Sequence, residues 1–151
     1  VSRNSSDAGG GIYNAEQSSV TLSSTGDFGG EGTNTAALYA PGIYNSGELR
    51  AENTRVITNG VYLSSRNSIV RIVGPLATGS RIQIDGSGYV SPNDAGIPIV
   101  IAEAAPPYRQ LTETDRESFL KPPSGFDGWE IRLSGDLTQV LLAPPGPGAG
   151  E

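Results

Sequence analysis

Gly11-Ile12-Tyr13-Asn14 returns as Gly42-Ile43-Tyr44-Asn45 and, more loosely, as Gly60-Val61-Tyr62-Leu63. Each copy opens a run of alternating apolar and polar residues punctuated by Gly, Asn and Ser, which is how a stack of similar β units is written. The copies begin 31 and then 18 residues apart, so the first interval is read as carrying extra loop at a turn outside the stack. A repeat of this kind reads as a scaffold first.

Working outward, Ser19-Val20-Thr21-Leu22-Ser23 alternates as a half-buried strand does, with Val20 and Leu22 toward the core. Glu48-Leu49-Arg50-Ala51-Glu52 alternates strictly, turning Leu49 and Ala51 inward and setting two acids beside an outward Arg50. Ile69 to Val73, Arg81 to Asp85 and Ile97 to Ala102 read as further strands, the first two separated by the Gly74-Pro75 break. The 21 Gly and 11 Pro exceed a fifth of the 151 residues and lie between the apolar runs, which favours many short strands over long helices.

With 36% hydrophobic and 17% charged residues, the chain has the makings of one folded domain with a core. Its net charge of -6, with nine dispersed Arg and a single Lys121, argues against nucleic acid and against insertion into or binding to an anionic membrane, since such partners need a positive patch. Cys, Met and His are absent, which removes thiolate nucleophiles, disulfides, zinc sites of ordinary composition and imidazole acid–base chemistry. No catalytic residue, cofactor or metal is expected. The chain opens at Val1 without a signal-like segment, which reads as a mature or excised piece.

The three phrases, followed in order by Ile69 to Pro75, Gly79 to Ile84 and Ile97 to Ala102, resemble the Gly-Gly-Gly-Ile-Tyr-Asn repeats of bacterial surface proteins of the polymorphic outer-membrane and autotransporter-like adhesin type. The similarity covers roughly residues 9 to 143; Pro41 and Leu63 depart from the pattern. The resemblance implies an all-β fold, a right-handed parallel β-helix (solenoid), and an extracellular or cell-surface location on a bacterium. Within that fold, Asn14 and Asn45 suit corners where the backbone enters the left-handed region.

On this reading residues 1–8 are a polar lead-in or linker, 9–96 the β-helix coils, 97–143 terminal strands with a cap, and 144–151 a Pro/Gly-rich tail. A solenoid exposes a strand edge at each end and needs caps. A helical turn at Glu113 to Leu120 and a hairpin around Gly135-Asp136 supply one, with Phe119, Phe126 and Trp129 covering the open core. The amino end has no such apolar cover. Another module, or another copy of the chain stacking head to tail into a filament, is the expected partner there.

Three constellations bear on chemistry. Tyr13, Tyr44 and Tyr62 would stack on one outer face, either as a ladder that supports the coil or as an aromatic strip for surface glycans. Glu48, Arg50, Glu52, Arg71, Arg81 and Asp85 face outward but form no close acid pair of the kind glycoside cleavage uses, so they read as a solvated ionic face. Asp85 to Gly88 with Asn93-Asp94 lacks the ligand spacing of known calcium loops and reads as a turn. Asn4-Ser5-Ser6 has the form of a glycosylation acceptor. The function expected is therefore non-catalytic, structural or adhesive; the alternative is a carbohydrate-binding or carbohydrate-active β-helix domain.

Overall fold

A computed structural model of the chain describes residues 5–8, 10–23, 26–28, 35–39, 42–52, 56–64, 68–85, 97–123 and 125–144. These residues form fourteen strands and one short helix. A first sheet takes, side by side, β2 (Ile12–Asn14), β6 (Ile43–Asn45), β8 (Val56–Leu63), β10 (Arg81–Asp85) and β12 (Phe119–Leu120), all parallel. A second takes β3 (Ser19–Ser23), β7 (Glu48–Glu52), β9 (Val70–Ile72) and β11 (Ile99–Ala104), also parallel, and is completed by β14 (Gln139–Ala143) and β13 (Glu130–Leu133), which run antiparallel.

From β6 to β11 the chain alternates between these two sheets, and each return adds the next strand beside the one before it on the main strand path. Repeat phrases therefore meet in register. Ile12 lies against Ile43 and Ile43 against Val61; Tyr13, Tyr44 and Tyr62 share the next position; Asn14, Asn45 and Leu63 the one after. In the second sheet Leu22, Ala51 and Ile72 form one inward file, and Thr21, Arg50, Arg71 and Glu103 an outward one. The alternation read from the sequence fixes this: a slip of one residue would turn each inward file to solvent.

The long interval between the first two phrases is not loop alone. It contains β4 (Gly26–Phe28), which pairs in parallel with the first half of β8, and β5 (Thr35–Tyr39), which pairs in parallel with β1 (Ser5–Ala8). β8 is longer than the strands before it, so β4 and β6 occupy successive stretches of its one edge. Likewise Ser5–Ala8, in the polar lead-in, is strand because β5 offers it an edge.

One hydrophobic core receives side chains from both sheets. Ile43, Ala51, Ile72, Ile84, Ile101 and Leu142 are fully buried within it, while Ile12 and Val20, from the first strand of each sheet, are only partly buried and pack against its margin. At the other end, Phe119, Phe126 and Trp129 all join the core, the last two rings meeting edge to face at 5.2 Å. The helix α1 (Glu113–Glu117) begins with a capping box between Thr112 and Asp115. It is shorter than the sequence implied, because Phe119 and Leu120 leave it to pair with Ile82 and Gln83.

Candidate functional site

The outer position of the repeat phrase carries a column of rings. Tyr13 and Tyr44 stack with centroids 4.8 Å apart and planes 2° from parallel; Tyr44 and Tyr62 repeat the distance at 17°. That distance is the spacing of neighbouring strands in a sheet, about 4.7–4.9 Å, so the column is set by backbone pairing. Each internal ring face is covered by the next ring, and Tyr13, at the head of the column, is 59% exposed. The column ends at β10, where Asp85 lies opposite Tyr62.

One position further along, Asn14 and Asn45 point inward and are 1% and 0% exposed. The Asn14 amide donates to the Asn45 side-chain oxygen at 2.7 Å and to the Glu48 carbonyl at 2.9 Å; Asn45 in turn donates to the Ser68 carbonyl at 2.9 Å. The left-handed corners expected of these residues are not present: both end extended strands, and among the described non-glycine residues only Gln17 and Leu137 have positive φ. The asparagines are there because a buried turn leaves carbonyls that need donors, and an amide supplies two. The Asn14 side-chain oxygen is buried and accepts no hydrogen bond among the described residues.

The same turn shows how closely levels approach. Glu48 donates its backbone N–H to the Ser18 carbonyl at 2.8 Å, and a Cβ on Gly47 would stand 2.2 Å from that oxygen and 2.4 Å from the Ala15 carbonyl. No side chain fits there. A serine cluster continues the turn, with Ser46 donating to Ser64 at 2.9 Å and Ser68 to the Ser46 carbonyl at 3.1 Å.

Beside these turns an open groove of about 640 Å³ is lined by Glu16, Gln17, Ser18, Ser46, Glu48 and Arg71, among others. Two of its charges are engaged: Arg71 pairs with Glu103, and Glu48 with Arg50 at 3.6 Å. Arg81, Asp85 and Glu52 lie on the same outward side of their strands, half-buried or exposed. Among the described residues no three His, Cys, Asp or Glu side chains gather as metal ligands do. Asn4 and residues 86–96, where the glycosylation motif and the candidate calcium turn fall, lie outside the described residues, as does the tail beyond Pro144.

Two acids in the terminal segment have structural duties that composition does not announce. Asp115 is fully buried and accepts from the Leu76 backbone N–H at 2.9 Å, the Tyr108 hydroxyl at 2.7 Å and the Thr112 N–H at 2.8 Å, tying α1 to the loop after β9. Burial first, then the bond to Asp115 and its charge, raise the Tyr108 hydroxyl to about 12. Asp136, at the hairpin tip, accepts from Ser134 at 2.6 Å and from Thr138, and these bonds hold its carboxyl below the ordinary value.

Comparison with known proteins gives no matching family model, no matching curated protein and no matching solved structure. What the geometry of the described residues defines by itself is an all-β fold of two larger, mainly parallel sheets and a two-stranded parallel one, with residue ladders running across the strands.

Proposed function

We propose that the chain is a right-handed parallel β-helix, closed by a cap at its carboxyl end, and that it serves as a non-catalytic structural or adhesive element of a bacterial surface protein. The observation that carries this reading is the in-register ladder: three copies of one phrase put Ile or Val inward, Tyr outward and Asn or Leu inward at the same positions of successive strands. Handedness follows from the strong preference of parallel strands in one sheet for right-handed crossovers. Stacked levels make a stiff rod with a repeating outer face, and such a surface works by presentation and contact. The extracellular location rests on the resemblance of the repeat phrases and is consistent with the absence of Cys from the 151 residues.

The carbohydrate-active alternative rests on the groove with Glu16, Glu48 and Arg71. Against it stand the ion pairs that occupy Glu48 and Arg71 and the tyrosine column whose ring faces are mutually covered. Incubating the chain with neutral and acidic polysaccharides tests both readings. The structural reading expects no new reducing or unsaturated ends and, for an adhesive role, retention on some glycan or cell surface. Turnover abolished by Glu48→Gln would overturn it.

A further inference from the structure

The first level of the stack is unlike its other end. Among the described residues β2 and β3 are the terminal strands of their sheets, and nothing pairs with their outer edges. Yet the residues they carry are those of a level with neighbours on both sides. Asn14 uses both hydrogens of its amide on the second level, one on the Asn45 side-chain oxygen and one on the Glu48 carbonyl. Its own oxygen, in the position where Asn45 receives the Asn14 donor, is buried and receives nothing. Tyr13 is stacked on Tyr44 on one face and is still 59% exposed. A buried acceptor without a donor costs more than its hydrogen bond would return, so such an atom calls for an explanation.

We infer that this edge receives one further parallel level, whose strand brings an amide donor to the Asn14 oxygen and a flat ring onto Tyr13: a segment of the same Gly-Ile-Tyr-Asn type. The inference rests on the proposed β-helix, since only a stack of levels can be extended in this way. A second copy of the described chain does not meet the requirement. Related by a two-fold axis, it would set one Asn14 oxygen against another, and neither amide has a hydrogen left to give. Docked head to tail, it would present β12 and β13, whose residues Phe119–Leu120 and Glu130–Leu133 include neither an amide donor nor a tyrosine.

The test adds the level and asks whether it joins. A second copy of residues 10–40, inserted between Gly9 and Gly10, keeps the 31-residue period that separates Asn14 from Asn45. If the edge accepts it, the urea m-value rises by about a fifth, in proportion to the residues added, and the unfolding midpoint rises with it. Replacing the added level's Asn by Leu then removes the gain in midpoint, and the unextended chain stays monomeric in sedimentation at all concentrations. An unchanged m-value, a midpoint indifferent to that Asn, or association of the unextended chain that Tyr13→Ser abolishes would each overturn the inference. Should the insertion aggregate, a synthetic peptide of residues 7–22 replaces it. Shifts of the Asn14 side-chain amide resonances, absent with the Asn-to-Leu peptide, support the inference, and unmoved resonances overturn it. Energetic coupling between Asn14 and Asn45 in the unextended chain separates the cases. If it is present and the added level fails, only the inference falls; if it is absent, the stacked reading falls as well.

Discussion

The asparagine pair offers the sharpest account of what holds successive levels together. Asn45→Leu leaves one Asn14 N–H unpaired in the interior and withdraws the amide donor from the Ser68 carbonyl. An unsatisfied buried group costs about 1–3 kcal/mol, so this variant should lose about 3 kcal/mol. Asn14→Leu strands the Asn45 oxygen and the Glu48 carbonyl, but removes the Asn14 oxygen that already lacked a donor. Two groups lost against one relieved leave a cost of about 1.5 kcal/mol on the same scale. In the double variant the two amides no longer face anything they fail to satisfy; only the donors to the Glu48 and Ser68 carbonyls are lost, again set against the relieved oxygen. The double should therefore cost about 1.5 kcal/mol and not the roughly 4.5 of the sum, a coupling of about 3 kcal/mol. Leucine fits the file, because Leu63 already occupies this position on β8 at 2% exposure. Urea unfolding followed by circular dichroism and by Trp129 fluorescence reads all four chains. Costs that add to within about 0.5 kcal/mol would show that the amides act independently and refute the ladder as a cooperative unit.

The remaining predictions concern the turn, the latch and the hairpin. Gly47→Ala drives a Cβ against two backbone oxygens that cannot rotate away, and should cost about 3 kcal/mol, the upper end for overpacking; an unmoved melting midpoint would contradict the close approach of levels. Tyr108 should ionise at about 12 against an ordinary 10.0. Because its folded value is raised, its contribution to stability is whole below pH 10.0 and is lost as pH rises through about 12. Ultraviolet titration sees this, and Asp115→Asn should lower the value only in part, since burial is the larger cause. For Asp136 the sign is opposite: its lowered value supports the hairpin above the ordinary carboxylate range, and the support is lost as pH falls through the depressed value. Protection factors for Gln139–Ala143, taken against the intrinsic exchange rate at each pH, should therefore fall in acid, and Asp136→Asn should flatten that response.

Alternation and repetition made most of the sheet framework legible. Strict period-two patterns located β3, β7 and β10, and the recurring phrase placed Tyr13, Tyr44 and Tyr62 on a shared face before any register was seen. What could not be read depends on the distance between levels. Asparagine serves equally in a left-handed corner and as a donor to buried carbonyls, and only the approach of Glu48 and Ser68 decides for the second use. The pairing of β4 and β5 depends on edges contributed by β8 and β1, which local propensity does not report. Asp115 reads as one more surface acid at a helix start until Leu76, 39 residues away, is found to donate to it.

The two ends of the stack obey different logic, and the repeats carry the difference. A level inside an array sees like neighbours on both sides and is free to keep one sequence; a terminal level has one unlike neighbour and must diverge. Divergence here runs toward the carboxyl end. Asn gives way to Leu63 on β8, where the last amide is satisfied by the Ser68 carbonyl, and Tyr gives way to Asp85 on β10, where the ring column stops. Beyond that, the parallel order is broken by an antiparallel hairpin, and the two-residue β12 is followed at once by Lys121 and by Pro122 and Pro123, which cannot donate to a further strand. The first strand shows none of these changes: Gly11 to Asn14 repeats Gly42 to Asn45 residue for residue, and among the described residues the Asn14 amide oxygen has no donor. Among the described residues, the features that block a further strand gather at the carboxyl end.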